Sequence, residues 1–245
     1  MTFGALGNHD LGLDPAHSGF RKEAVEMFRS PEAVATGIHY LDRQCKTVAY
    51  IETTEPSART AIEPINIYGN PLQPEFLDTN YAFTYEPWPS DASKQAWGDV
   101  PTSADVAPIW VMHGPPKGRL DWIDLEGLEG CVAQAHAISI SRPLLCVFGH
   151  YHVSNGVERV EWCPDRDEVA NAKLLPRPIS APEFDFSGDC SESELIPGRD
   201  TVFVNAAWMT GRKREVAERN DPCVITLNYP HPSHSGKGVG KAPQT

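Results

Sequence analysis

The sequence predicts an α/β fold, because short apolar runs typical of buried strands alternate along the chain with segments of helical periodicity. A second observation is that each of these runs is followed at once by Gly, His or Asn, as a strand entering a loop would be. The runs are TFGAL, WVM, LLCVF, VFV and CVITL. A third is the abundance of Pro (22) and Gly (19) among 245 residues, which predicts long connections within a single domain.

The first third of the chain is expected to begin with a strand at TFGAL, followed by a helix in SGFRKEAVEMFRS with Ser18 as its N-cap. The stretch IHYLDRQCKTVAYIETT predicts a pair of strands around a polar turn. Another strand is expected in INIYGNPLQPEF, broken at Gly69, Asn70 and Pro71. These strands predict a partly antiparallel second sheet.

The rest of the chain predicts strands at WVMH, LLCVF, VFVNAA and CVITL, and a helix in LEGCVAQAHAIS that follows Pro116 and Gly118. The segment 163–200 is rich in Pro, Asp, Glu and Ser and has little periodicity, so we expect a long loop insertion that is partly disordered. We therefore expect one domain over residues 1–229, followed by a disordered tail at 230–245.

Charge and composition restrict the partners that we expect. A formal net charge of −12 argues against binding along a nucleic-acid backbone, which requires a basic surface. No stretch approaches the ~20 apolar residues of a membrane span, and the first residues lack the features of a signal peptide. The expectation is a cytoplasmic protein with no membrane partner. Its six scattered cysteines are expected to be reduced thiols, with Cys146 in the core.

Polar residues that suit metal binding follow three of the predicted strands. They occur in GNHD at 7–10, in VMHGPP at 111–116 and in FGHYH at 148–152. Loops at the carboxyl ends of strands in an open α/β sheet meet at one crevice, so Asn8, His113, His150 and His152 are expected to converge. Their oxygen and nitrogen donors suit Mn, Fe or Zn. If the H-x-H segment is extended, His150 and His152 project to the same side.

In this order, these motifs resemble those of the calcineurin-like metallophosphoesterase superfamily. The chain most resembles its branch of cyclic-nucleotide-phosphodiesterase-like proteins with metallophosphoesterase domains. The residues that carry the likeness span most of the chain: GALGNHDLGLD, INIYGNPLQPEF, VMHGPPKGRLDWIDLEGLEGCV, LLCVFGHYHVSNGV and FVNAA. The resemblance implies a four-layer α/β/β/α sandwich and metal-dependent hydrolysis of a phosphoester.

The resemblance also implies a role for each matching residue. Asn8, His113 and His150 would bind one divalent metal ion, and His152 would bind the second. His9 would be the catalytic histidine that assists the leaving oxygen. Asp10 would hold the His9 imidazole in orientation. Two metal ions of this kind clamp a phosphate and activate water at neutral pH. The implied substrate is a small phosphoester, and nucleotide-like phosphoesters are among the candidates.

Two motifs that precede GNHD in the family have no counterpart here. The sequence contains no D-x-H, and Gly98-Asp99 and Gly188-Asp189 both follow GNHD. One explanation is an N-terminally truncated copy of an ordinary phosphodiesterase-type enzyme, which the retention of the GNHD, HGPP and FGHYH residues favours. The other is a catalytically impaired fragment or pseudoenzyme that acts as a binding or interaction module.

Overall fold

The computed structural model describes residues 2–51, 62–77, 79–123, 127–165, 168–175, 183–186, 195–210 and 219–227. This part of the chain is mixed α/β, which confirms the predicted class. Its strands are β1 (Thr2–Ala5), β2 (Ile38–Leu41), β3 (Gln44–Ile51), β4 (Ile62–Asn70), β5 (Gln73–Pro74), β6 (Thr84–Tyr85), β7 (Ile109–Met112), β8 (Trp122–Ile123), β9 (Gly127–Leu128), β10 (Leu145–Phe148), β11 (Gly156–Trp162), β12 (Val169–Leu174), β13 (Glu183–Phe186), β14 (Asp200–Asn205) and β15 (Val224–Leu227). Its helices are α1 (Lys22–Phe28), α2 (Pro31–Ala35), α3 (Asp91–Ala96) and α4 (Val132–Ser141), with a 3-10 turn at His152–Ser154.

The largest sheet has seven strands in the order β12-β11-β14-β10-β7-β4-β3. Its four central strands, β14, β10, β7 and β4, are parallel to one another. Strands β3, β11 and β12 are added antiparallel at the two sides. The carboxyl ends of the four central strands therefore lie along one edge, where His113 follows β7 and Gly149 follows β10.

Alternating apolar residues give this sheet two buried faces. On one face, large side chains such as Trp110, Phe148 and Phe203 pack against Ala137 and Ile138 of α4 and against the residues around α3. The opposite face is covered at one side by β13 and β15, which form a parallel pair. Strand β2 covers it at the other side, where Leu41 packs on β3 and β4.

Strands β1 and β2 form a separate parallel pair. The sequence correctly predicts two strands within 38–51, but β2 pairs with β1 while β3 pairs with β4. Helix α1 lies beside this pair, and its Val25 and Phe28 pack around Leu13 and Phe83. The four-layer sandwich implied by the family resemblance stays a prediction.

The proposed N-cap of the first helix is wrong. Helix α1 begins at Lys22 and its N-cap residue is Arg21, whose side chain makes no capping hydrogen bond. Ser18 lies in the preceding run of turns, where Phe20 N–H donates to His17 O and Arg21 N–H donates to Gly12 O. These turns use residues that the helix would otherwise have contained, so the helix starts later than its periodicity predicts.

The described residues of the segment 163–200, which was predicted as a loop insertion, include the strands β12 and β13. Strand β12 extends the large sheet and β13 pairs with β15. Residues 166–167, 176–182 and 187–194 of this segment, and the predicted tail at 230–245, lie outside the described residues. Of the cysteines, five are free thiols within the described part of the chain, and Cys146 is fully buried as expected. None of the helices described there is long and apolar enough to cross a membrane.

Candidate metal and phosphoester site

A cavity of about 820 Å³ lies at the edge of the sheet where β7 and β10 end. It brings together every site residue that the sequence predicted except Asp10. Residues from several separate loops line its wall: Asn8, His9, Gln73, Glu75, Phe76, Tyr81, Trp88, His113, Lys117, Ile123, Glu129, Cys131, Val132, His150, Tyr151 and His152, among others. The predicted convergence of the GNHD, HGPP and FGHYH loops is therefore present.

Asn8 and His113 are in direct contact at the back of this cavity. Asn8 is 4% exposed, and its Oδ1 lies 3.1 Å from His113 Nε2. The backbone N–H of Asn8 also points at this nitrogen, at 3.4 Å. The contact is possible because Gly7 has no side chain, since a Cβ there would lie 2.4 Å from His113 Cε1. The GNHD loop is thereby fitted directly against the end of β7.

His150 lies beside His113, with ring centroids 4.5 Å apart. Its backbone has a φ of +70°, in the left-handed region, which costs free energy for a residue that has a side chain. The segment is not extended, because His152 opens a 3-10 turn two residues later. The geometric reason given for the H-x-H motif is therefore wrong, although both imidazoles do line the cavity.

Burial keeps two of these imidazoles neutral. Burial, together with smaller effects of the neighbouring charges of His150 and His9, lowers the pKa of His113 to about 3. Burial also lowers the pKa of His150 to about 4, with contributions from His152 and His9. A neutral imidazole keeps a nitrogen lone pair, which is the form that binds a metal ion.

His9 and Asp10 lie on the exposed side of the GNHD loop. The ring of His9 is exposed, lines the cavity and contacts Tyr81 edge to face at 5.4 Å. The Asp10 carboxylate accepts a hydrogen bond from the Gly7 backbone N–H at 2.7 Å. Asp10 therefore shapes the GNHD loop in this structure, and its proposed role in orienting His9 stays a prediction.

The donor types at this wall are ones that metal ions of the imidazole-binding class accept. Asn8, His113 and His150 supply an amide oxygen and two nitrogens from three loops that meet at one wall. Among the described residues, no three His, Cys, Asp or Glu side chains are grouped so as to hold a metal ion. The set that comes together is thus two imidazoles and an amide, and the metal pair implied by the family resemblance stays a prediction.

Several residues of the cavity wall were not found from the sequence. Lys117 is the one Lys or Arg side chain among the described lining residues. Cys131 caps the amino end of α4, where its Sγ accepts the Gln134 N–H, and it also contacts the Tyr85 hydroxyl at 2.8 Å. Tyr81 and Trp88 come from loops without a motif. Of these residues, Lys117 and Cys131 carried a signal, because both lie in the segment VMHGPPKGRLDWIDLEGLEGCV that carries the family likeness.

Comparisons with known proteins support part of the family resemblance. No family model matches the chain. Metallophosphoesterase domain-containing protein 1 of Homo sapiens, and the protein of the same name from Mus musculus, are each 32% identical over 110 residues, which is 44% of this chain and 30% of theirs. These matches support a metallophosphoesterase-like relationship.

A third relative has a different name. Probable rhamnogalacturonate lyase C of Emericella nidulans is 30% identical over 235 residues, which is 89% of this chain and 19% of that protein. The chain thus spans less than a third of the length of each of these curated relatives.

Proposed function

We propose that the chain is a metal-dependent hydrolase of a small phosphoester, of the phosphodiesterase type. The observation that carries this proposal is the contact of Asn8, His113 and His150 at the wall of a cavity that also exposes His9. In the proposal, these three residues hold one divalent ion, Mn, Fe or Zn, and His152 contributes to a second. Such ions polarise the phosphoryl group and lower the pKa of water.

In the proposal, residues of the chain itself hold the phosphate and donate a proton to the leaving oxygen. His9, exposed beside the proposed metal ligands, donates a proton from its imidazole to the leaving oxygen. The amino end of α4 also faces the cavity, where Cys131, Val132 and Ala133 line the wall. The first turn of a helix favours negative charge, so this end of α4 helps to hold a phosphate in a chain whose net charge is −12.

Replacement of His9 tests the proposal. With purified protein loaded with Mn²⁺, His9→Ala should lower kcat for a generic aryl phosphodiester by about 100-fold, the effect of losing a general acid. The metal content, measured by mass spectrometry, should not change. The control is His136→Ala, on the exposed side of α4, which should keep both properties. Unchanged turnover in His9→Ala would contradict the role of His9 as the proton donor.

Two other functions predict different results. A binding or interaction module binds at most one metal ion and shows no turnover of the diester in the wild-type chain. The name of the fungal relative suggests a second alternative, a lyase that acts on rhamnogalacturonate. Lyase activity is tested by measuring whether the chain releases unsaturated uronate from that polymer. Release that depends on His9 would replace the phosphoesterase proposal.

A further inference from the structure

The loop between the end of HGPP and α4, residues 116–131, is closed at its base. Lys117 N–H donates to Cys131 O at 3.0 Å, and Cys131 N–H donates to Pro115 O at 2.9 Å. Residues 124–126 lie outside the described part of the chain. The described part of this loop supplies Lys117, Ile123 and Glu129 to the cavity wall. Its shape therefore sets one side of the candidate site.

Asp121 lies inside this loop and joins its two arms. It is 1% exposed, and its Oδ2 accepts the N–H of Gly118 and the N–H of Gly130, both at 2.9 Å. The backbone oxygen of Asp121 accepts the Glu129 N–H at 3.1 Å. The carboxylate thus links the outgoing and the returning arm of the loop, which also pair as β8 and β9.

The burial of Asp121 carries a cost that these bonds offset only in part. Its Oδ1 has no hydrogen-bond partner among the described residues, and neither does Oε2 of Glu158, which pairs through Oε1 with Arg119. The negative charge of Asp121 also contributes to a raised pKa at Glu158, after the larger effect of burial. An uncompensated buried carboxylate oxygen destabilises a fold, so stability alone does not explain this side chain.

The loop that Asp121 closes is bonded to the segment that carries His150 and His152. Tyr151 Oη donates to Glu129 O at 2.8 Å, and Ser154 Oγ donates to Trp122 O. Asn205 Nδ2 donates both to Leu120 O and to Tyr151 O, at 3.1 and 2.9 Å. The acceptors on the loop are residues 120, 122 and 129, which immediately flank or directly contact Asp121.

We propose that Asp121 is a positioning residue for the His150–His152 segment, acting through the backbone oxygens of the 116–131 loop. His150 has a strained backbone, and a strained conformation persists only where its surroundings hold it. Any effect of Asp121 on turnover rests on the proposed function, whereas its effect on the conformation of the His150–His152 segment does not.

Hydrogen exchange measured by mass spectrometry on the metal-free chain tests the positioning. In Asp121→Ala, the amides of residues 149–154 should exchange about ten-fold faster or more, since two hydrogen bonds of the loop are lost. Asp121→Asn keeps an acceptor oxygen and should restore the rate to within about two-fold of wild type. Tyr151→Phe removes one link at a solvent-accessible site and should give a smaller rise in the same peptide.

Asp200 provides a matched control. Like Asp121, it is 1% exposed and accepts a backbone N–H, in this case from Ile196. It lies at the end of β14 opposite to Asn205, which is the residue of this strand that contacts Tyr151. Asp200→Ala should leave the exchange of residues 149–154 unchanged relative to the rest of the chain. An equal rise at all peptides in both Ala variants would overturn the proposal, and so would an unchanged rate at 149–154 in Asp121→Ala or Tyr151→Phe.

A kinetic measurement separates this proposal from the proposed function. If the wild-type chain hydrolyses the diester, Asp121→Ala should lower kcat about ten-fold with a smaller change in KM, and Asp121→Asn should recover it. A wild-type chain without turnover would contradict the proposed function and leave the exchange result standing. Normal kcat in an Asp121→Ala variant with fast exchange would contradict the catalytic consequence.

Discussion

At the scale of single residues, the candidate site depends on close contacts that only small or neutral groups permit. Asn8 and His113 touch because Gly7 leaves room for the imidazole. His113 and His150 can lie with ring centroids 4.5 Å apart because burial keeps both uncharged at neutral pH. Steric fit and desolvation therefore act together to keep a pair of neutral imidazoles in close contact, each with a nitrogen lone pair.

The steric fit at Gly7 can be tested by adding a single methyl group. Gly7→Ala places a Cβ 2.4 Å from His113 Cε1, so the ring must move. We expect the affinity for Mn²⁺, measured by titration calorimetry, to fall about 10- to 100-fold. Gly114→Ala is the control, since its Cβ would meet His150 Cδ2 at an ordinary 3.7 Å. Equal affinities in both variants would contradict the assignment of His113 as a ligand.

The low pKa values of the two histidines predict a loss of stability in acid. The pKa of His113 falls from 6.5 to about 3 on folding, so between these values the unfolded chain binds more protons. This contribution is complete above pH 6.5 and is lost as the pH falls. Urea unfolding in EDTA should show a free energy of unfolding that is lower at pH 5 than at pH 7 by on the order of 2 kcal/mol for each of the two buried imidazoles.

His113→Gln is the variant that checks this pH dependence. It should reduce the difference between pH 7 and pH 5, because one of the two buried imidazoles is gone. The matched control is His136→Gln on exposed helix surface, which should keep the wild-type difference. An undiminished difference in His113→Gln would show that other groups cause the acid sensitivity.

At the scale of elements, β2 fits closely against β4. A Cβ at Gly69 would lie 2.1 Å from Leu41 Cβ, and Leu41 is fully buried on this face of the sheet. The close approach holds the β1–β2 pair against the large sheet. Because the GNHD loop follows β1, this packing also decides how far Asn8 lies from His113.

Gly69→Ala should therefore weaken both the fold and the site. Overpacking of this kind costs about 1–3 kcal/mol, which chemical denaturation will measure. The control is Gly156→Ala on β11, where the nearest atom to the added Cβ is Leu120 Cδ2 at 3.6 Å. If the two variants unfold at the same denaturant concentration, the packing of β2 on β4 is not tight.

At the scale of the whole molecule, the proposed metal ion would join parts of the chain that are distant in sequence. Asn8 follows β1, His113 follows β7 and His150 follows β10. One ion bound to all three would connect the β1–β2 pair to the centre of the large sheet. Metal binding should for this reason stabilise the fold as a whole.

Thermal unfolding tests this connection. Saturating Mn²⁺ should raise the Tm by about 5 °C or more, because a ligand at 100 times its Kd contributes about 2.7 kcal/mol. Ca²⁺ should have little effect, since it prefers sites built from oxygen ligands alone. His113→Ala should abolish the shift and His136→Ala should keep it. The same shift in both variants would place the metal elsewhere.

The sequence determined the fold class and the Asn and His residues that line the candidate site, because both depend on local patterns. An apolar run followed by Asn or His identifies a strand and its loop without reference to the rest of the chain, and three such loops gave Asn8, His113 and His150.

The tertiary structure decided what depends on distant contacts. In the structure, β2 pairs with β1, and the segment 163–200, which has little periodicity, forms the strands β12 and β13. The tertiary structure also gave His150 a left-handed backbone and buried Asp121 between Gly118 and Gly130. The physical reason is that strand pairing is settled by partners far along the chain, and no local pattern encodes the identity of those partners.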